Sequence, residues 1–223
     1  MRLAELDATM RSLRPLLLMT VAAVAAPQAI DIEALVRKEL PDAPPLTQSW
    51  ARETFQALDV REGSVVADVA SGTGDLTVLL AHVVGPSGRV FAVDIDEGAV
   101  GRLRDRVTKK ALSNVEVILG QAHDPRLPVD EVDAVLIVQS YHEMTQYDSM
   151  LRRISTALKP GGRLVIVDTS PTQADQPRSS QVREHQIAPQ LVEDDLRAAG
   201  FEISERRDEF VDPRQWIMVA RMP

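Results

Sequence analysis

The chain has no cysteine among its 223 residues, which excludes disulfides, thiolate-ligated metals and thiol nucleophiles. Positive charge is in deficit, with 25 Lys plus Arg against 33 Asp plus Glu and a formal net charge of -8. Affinity for nucleic-acid phosphates comes mostly from displaced counterions and needs a basic face, so no nucleic-acid partner is expected. Long apolar runs are missing too. The longest, Leu16 to Ala26, is shorter than the roughly 20 residues that cross a bilayer, and no integral membrane span is expected. Aromatic residues are sparse at 4%, and no repeat period or low-complexity tract is visible. What is present is 44% apolar residues, enough for one ordinary core carried by one domain with a short extension.

Residues 1–46 read as that extension. Met10-Arg11-Ser12-Leu13-Arg14, the apolar run and Ala23-Val24-Ala25 follow the basic, apolar, small-residue order of a secretory signal over about 10–25. Glu5 and Asp7 ahead of the run, and its Ala/Leu content, suit an ordinary packed helix equally. Export and a cytoplasmic location therefore both stay open. Pro41 to Pro45 (PDAPP) stops a helix, so the main domain is expected over 47–223.

Beyond that break, Val- and Ile-rich runs at Val65–Val69, Val90–Val93, Val115–Leu119, Ala134–Val138 and Leu164–Val167 read as strands. Between them, Leu76–Val84, Gly98–Val107 and Tyr147–Leu158 carry apolar residues at helical spacing, and Trp50–Leu58 reads as a helix ahead of them. Such alternation predicts an α/β, Rossmann-like doubly wound sheet, mostly parallel, with helices on both faces. After a polar loop, Ser170–Ser180, come a helix around Val192–Ala199 and two runs, Phe201–Arg206 and Trp216–Ala220. These make an antiparallel C-terminal hairpin at the edge and bring the sheet to seven strands.

The first strand runs into Ala67-Asp68-Val69-Ala70-Ser71-Gly72-Thr73-Gly74-Asp75-Leu76-Thr77, a strand, glycine turn and helix start that lets a ligand approach the backbone. Thr77 stands where a dinucleotide loop needs its third glycine, and the lysine of a phosphate-binding Walker loop is missing. Asp68 and Asp75 bracket the turn; they would repel a pyrophosphate and attract a ligand carrying an ammonium and a sulfonium, which points to S-adenosyl-L-methionine. Equally, Asp75 serves as a helix-start carboxylate and Asp68 as a tie for the turn. Twenty residues past Gly74, Asp94 ends the second strand, where an acid can accept from both ribose hydroxyls. Asp96 is read as the cap of the next helix. After the third strand, Gln121 and Asp124 are candidates to read an adenine edge.

ADVASGTGDLT, VFAVDID, the acid-containing segment before Leu127-Pro128, and LKPGGRL entering the fifth strand occur in order and at matching spacing. Together they resemble the class I S-adenosylmethionine-dependent methyltransferases from about Trp50 to the C-terminus. SGTGDLT and LKPGGRLVIVD are most similar to the quinone-biosynthesis methyltransferases, and a bacterial group sharing YHE after the fourth strand is more similar still. The resemblance implies that Ala70, Ser71, Gly72, Thr73 and Gly74 cradle the methionine portion of the donor. It also implies that Asp94 holds the ribose, Ile95 flanks the adenine, Gln121 with Ala122 meets its edge, and Gln139 lies near the donor backbone. Two positions depart from the family pattern: Ala70 replaces a common Gly and Gln121 a common Asp.

Polar residues end five successive strands, and in open parallel sheets ligands collect there, which puts a small-molecule methyl acceptor above strands four and five. Gln139-Ser140-Tyr141-His142-Glu143 follows an all-apolar strand. His142 is the first candidate for a base or orienting group, with Tyr141 and Glu143 beside it. Glu184 and His185 are candidates for a lid pair. Helix entry, core packing and solvated surface are the structural readings of the same residues. His142, Glu143 and His185 contain the types for a metal site but share no short motif, and no metal is expected. Four functional readings follow: methyl transfer, a non-catalytic cofactor-binding module, an aminopropyl-type transferase on the same fold, and an oxidoreductase, which Thr77 already weakens. Nothing in the chain names the acceptor or the oligomeric state.

Overall fold

A computed structural model describes residues 30–44 and 46–223; the signal-like segment at about 10–25 lies outside the described residues. Helices α1 (Ile32–Glu39) and α2 (Leu46–Leu58) precede β1 (Val65–Val69), α3 (Asp75–Val84), β2 (Arg89–Asp94), α4 (Glu97–Lys109), β3 (Val115–Leu119) and β4 (Val132–Val138). A 3-10 turn, Tyr141–Glu143, leads into α5 (Tyr147–Ala157), β5 (Leu158–Thr169), α6 (Arg178–Arg183), α7 (Pro189–Ala198), β6 (Glu202–Arg207) and β7 (Gln215–Arg221).

The strands form one seven-stranded sheet in the order β3-β2-β1-β4-β5-β7-β6. β1 to β5 pair parallel, and β7 pairs antiparallel with both β5 and β6. The mostly parallel sheet with an antiparallel hairpin is as expected from the sequence pattern. Polarity decides which hairpin strand is inside. Trp216-Ile217-Met218-Val219-Ala220 is buried throughout, whereas β6 (EISERR) is charged, so β7 joins the sheet and β6 takes the solvated edge.

Helices cover both faces, because the strands are apolar on both sides. On one face Val66, Leu136, Val165 and Ile217 pack with Phe55 and Leu58 of α2 and Leu79 and Leu80 of α3. On the other, Ala67, Ile137, Ile166 and Trp216 pack with Leu151 and Ile154 of α5 and Val192 and Leu196 of α7. Each such side chain contributes about 1.5–3 kcal/mol by leaving water, so the strand ends are held by a rigid floor. Leu35 and Val36 bring α1 into the first of these clusters.

Strand order reverses between β1 and β4, which opens a crevice at their carboxyl ends, the ligand position of such sheets. The stretch expected to be a polar loop contains α6. Gln181, wholly buried, holds it: its amide donates to Ala174 O at 3.3 Å and Gln176 O at 2.7 Å, and its carbonyl accepts from the Ala188 amide at 2.7 Å.

Candidate active site

The half of the crevice expected to take the donor is built on backbone conformation. Ala70, Gly72 and Gly74 have φ of 62°, 53° and 81°, all left-handed. For Ala70 this costs about 1 kcal/mol that Gly would not incur, which accounts for the Gly that the family pattern has there. At Gly74 a substitute would be strained by the left-handed backbone and would have to displace Leu103 on α4, whose Cδ1 would lie 2.2 Å from an added Cβ. At Gly72 a Cβ would meet nothing within 4 Å, so the turn offers bare, approachable backbone.

Asp94 is locked beside it. Its Oδ2 accepts the Gly72 amide at 2.8 Å and its Oδ1 the Asp96 amide at 2.9 Å, which leaves each oxygen a second lone pair. Ile95, next in sequence, is 59% exposed, an apolar surface at the crevice mouth. Asp96 caps α4 by accepting the Ala99 amide at 2.6 Å.

The two acids that bracket the turn divide their roles. Asp75 is turned outward, paired with Arg106 at 2.6 Å, and Arg106 also donates to Thr73 O at 2.8 Å. Asp68 lies buried beneath the turn, where its Oδ2 accepts the Thr77 hydroxyl at 2.6 Å. Burial raises the Asp68 pKa; the Thr77 hydrogen bond opposes this, the charges of Asp94 and Asp75 add to it, and the net result is about 6. The charge facing the turn is therefore that of Asp94, with Asp68 behind it.

At the end of β3, Gln121 and Asp124 close a tight turn, the Gln121 amide donating to Asp124 O at 2.8 Å and the Asp124 amide to Gln121 O at 3.1 Å. The Asp124 carboxylate accepts the Arg126 amide at 2.7 Å and faces Arg153 at 3.6 Å, so it serves the turn. The Gln121 side chain is exposed beside Ala122, free to meet a ligand edge.

Several polar atoms along this edge are buried without a hydrogen-bond partner among the described residues: Ser71 Oγ, Gln139 Nε2 and Gln215 Oε1. Gln139, at φ 50°, accepts the Thr169 hydroxyl at 2.9 Å through Oε1, which turns Nε2 elsewhere. Ser71, Gln139 and Thr169 follow or end neighbouring strands β1, β4 and β5, and Gln215 of β7 lies opposite Thr169. A buried polar atom left unpaired costs about 1–3 kcal/mol, so a row of them marks a surface completed by a ligand.

On the side expected to take the acceptor, His142 is 4% exposed and bound twice to the wholly buried Asp168. Its amide donates to Oδ2 at 3.1 Å and its ring Nδ1 meets Oδ1 at 2.8 Å; the Thr169 amide adds a third donor at 2.7 Å. With Nδ1 donating, Nε2 carries the ring's lone pair, and it too is buried and unpartnered. Burial acts to lower the His142 pKa, but the hydrogen bond and charge of Asp168 and the charge of Glu143 outweigh it and the pKa is raised. Glu143 Oε1 lies 3.7 Å from His142 Nε2 and 3.5 Å from His185 Nδ1, and the two imidazoles meet edge to face at 5.6 Å. The carboxylate beside His185 is thus Glu143; Glu184, expected as its partner, is exposed.

Tyr141 lies apart from these groups. Its ring is in the core with α5 and α7, and its hydroxyl donates to Asp195 Oδ2 at 2.9 Å, which together with burial drives its pKa well up. Arg178 of α6 pairs with the same carboxylate and stacks over Tyr147 at 4.1 Å, so this cluster fastens α6 and α7 to the turn bearing His142. Sequence reading missed Asp168 as the partner of His142, although an acid closing the Leu164–Val167 strand was the available signal.

Two further hollows lie at the amino ends of the strands, away from this edge. One, of about 450 Å³, is lined by Val65, Gly88 and Arg89, the other, of about 680 Å³, by Ile32, Phe55 and Val60. Neither gathers the unpartnered polar atoms of the carboxyl edge.

This edge, with its glycine turn, strand-end acid and His-bearing turn, has known relatives. Residues 46–191 match the model of the ubiE/COQ5 methyltransferase family. The chain belongs to that family. A demethylmenaquinone methyltransferase of Listeria monocytogenes serotype 4a (strain HCC23) is 36% identical over 121 residues, 54% of this chain and 51% of that protein. The ubiquinone/menaquinone biosynthesis C-methyltransferase UbiE of Pseudomonas fluorescens (strain Pf0-1) is 39% identical over 127 residues, 56% and 50%. The chain thus spans about half the length of the curated relatives it matches. In fold it is similar to a SAM-dependent methyltransferase from Aquifex aeolicus, at TM-score 0.71, 24% identity, and coverage of 86% of this chain and 98% of that one. The cyclase SpnF is also similar in fold, at TM-score 0.67, 22% identity and coverage of 78% and 81%. A cyclase on this frame means that architecture alone does not fix the reaction; the site must carry the assignment.

Proposed function

We propose that the chain is an S-adenosylmethionine-dependent methyltransferase that moves the methyl group in line to a small-molecule acceptor, with 47–223 as the catalytic unit. The observation that carries this is the carboxyl edge itself: open backbone at Gly72, a fixed Asp94 and a row of unpartnered buried polar atoms. These residues fit the donor. Asp94 has free lone pairs for both ribose hydroxyls, Ile95 offers the adenine an apolar face, and Gln121 with Ala122 lies at its edge. Ser71 and Gln139 offer unpaired atoms to the amino-acid portion, over a turn whose surroundings are acidic. When bound, the donor supplies an electrophilic methyl group on a sulfonium.

Transfer is a one-step displacement, so the chain's contribution is alignment and exclusion of water, with no covalent protein intermediate. The acceptor is assigned to the space beside His142, Glu143 and His185. An acceptor that attacks from an oxygen or an enol carbon must give up its hydroxyl proton, and the lone pair of His142 Nε2, oriented by Asp168, is placed to take it. Demethylmenaquinone, named for the Listeria relative, is the first acceptor class to try. An aminopropyl transfer is disfavoured, because a polyamine needs accessible acids and Asp168 is wholly buried and already accepts three N–H donors.

Calorimetric titration with the donor and its demethylated product, followed by labelled-methyl transfer to a panel of hydroxylated ring compounds, tests the reading. Binding of both, with label passing to at least one acceptor, is expected. Donor binding with no transfer would reduce the chain to a cofactor-binding module, and no binding would remove the assignment.

A further inference from the structure

Three ligating atoms that no local motif joins converge on the acceptor side of the crevice. His142 Nε2, His185 Nδ1 and a Glu143 carboxylate oxygen all lie within 4.8 Å of one another. We propose that they hold a divalent first-row transition cation of the zinc type, and that an oxygen of the acceptor completes its coordination; with the ion bound, His142 Nε2 is its ligand and not a proton acceptor, and the cation takes over the acidification of the acceptor oxygen. Only the identity of that last ligand rests on the methyltransferase reading; the cation site stands on the three side chains.

The spacing suits one ion. Ligands about 2.1 Å from a tetrahedral zinc lie about 3.4 Å from each other; the Glu143 oxygen is 3.7 Å and 3.5 Å from the two imidazole nitrogens, and those nitrogens lie within 4.8 Å of each other, a gap that rotation of the exposed His185 ring can close. His142 supplies the second, independent observation. Its Nε2 is a buried lone pair with no donor among the described residues, while its other nitrogen is fixed on a wholly buried carboxylate. A carboxylate behind a histidine sets the ring tautomer and orientation and raises the basicity of the outer nitrogen, which is the usual support for a metal-bound imidazole. The Asp168 carboxylate is held in turn by two backbone amides, so the chain of orientation runs from the end of β5 to the ligand atom.

Donor type and exposure narrow the occupant. Two imidazoles and one carboxylate favour zinc and its first-row neighbours over magnesium or calcium, which take oxygen ligands. The side chains of His185 and Glu143 are 75% and 62% exposed, so three protein ligands on one side leave the remaining positions toward the crevice. An open position on a Lewis acid selects acceptors carrying a hydroxyl or carbonyl oxygen next to the methylated atom, because coordination polarises that oxygen. Amines and alkenes lacking such an oxygen gain nothing from it.

The test uses the full chain, stripped of metal by chelator and dialysed, titrated with Zn²⁺ by calorimetry and with Co²⁺ by visible absorption. One ion per chain is expected, with Co²⁺ bands of a low-coordinate N,O site. His185→Ala, on the exposed side, leaves the fold intact and should weaken Zn²⁺ by about tenfold or more; His142→Ala should do the same, and Asp168→Asn should weaken it about 10–100-fold through His142 alone. No stoichiometric binding, or binding unweakened in His185→Ala, overturns the site. Donor binding on the same sample separates the two readings: a chain that binds donor but not zinc loses the cation site alone, and one that binds zinc but not donor loses the methyltransferase assignment alone.

Discussion

Asp68→Asn removes a carboxylate from beneath the glycine turn while keeping an oxygen to accept the Thr77 hydroxyl, so packing and the hydrogen bond survive and only the charge is lost. The folded protein holds this group at about 6 against an ordinary 3.8. That gap corresponds to about 3 kcal/mol at roughly 1.4 kcal/mol per tenfold change in proton affinity, an order-of-magnitude figure. The sign follows from proton counting. Between 3.8 and 6 the native state binds more protons at Asp68 than the unfolded chain, so this group's contribution is fully present below 3.8 and is lost as pH rises through 6. Urea denaturation of wild type and Asp68→Asn, measured at intervals from pH 4 to pH 7.5, isolates the effect by difference. The variant should gain on wild type by about 3 kcal/mol across that window and then hold level. A difference that does not change with pH refutes the placement of an ionising carboxylate in that environment.

The same group links stability to function. A cationic donor above the turn relieves the repulsion among Asp68, Asp94 and Asp75 and favours the ionised form of Asp68. Donor affinity in wild type should therefore rise between pH 5 and pH 7, and Asp68→Asn should flatten the rise.

Ala70→Gly should stabilise the chain by about 1 kcal/mol in the same denaturation assay, because the left-handed backbone at this position strains any residue with a Cβ. Asp94→Ala should weaken donor binding by about 1–3 kcal/mol in calorimetry, since it strips a charged acceptor from both ribose hydroxyls and frees the Gly72 amide. Tyr141→Phe should lower stability by about 1 kcal/mol through the lost bond to Asp195, while donor affinity is unchanged; a loss of affinity would place Tyr141 in the crevice.

Much of the fold was legible because the informative features are local. Val65–Val69 and Val115–Leu119 carry their strand identity in their own composition, and Gly72 and Gly74 announce a turn with left-handed backbone. Asp96 is a helix cap in sequence and in structure for the same local reason. What was not legible depends on distance along the chain. α6 has six residues and no apolar stripe, and it stands because Gln181 reaches three backbone groups around it. The His142–Asp168 pair spans 26 residues and exists only because β4 and β5 are neighbours in the sheet. Glu143 meets His185 across a turn and a short helix, so Glu184, adjacent in sequence, looked the natural partner and is not.

The two halves of the crevice are therefore specified by different means, and this bears on what each can do. The groups proposed for the donor are turn backbone and strand-end side chains: the open turn at Gly72, Asp94 locked by the Gly72 and Asp96 amides, and the unpartnered atoms of Ser71 and Gln139. They are fixed once the parallel sheet forms, and they lie within the segment shared with the family. The residues proposed for the acceptor are side chains: His142 is oriented from the sheet by Asp168 at the end of β5, whereas the end of α6 that carries His185 is held by the Tyr141–Asp195–Arg178 cluster. Loosening that cluster shifts His185 relative to His142 without touching Asp94. Acceptor choice and any cation at Glu143 can thus change independently of donor affinity, which is why a donor-binding measurement, however tight, carries no information about what receives the methyl group.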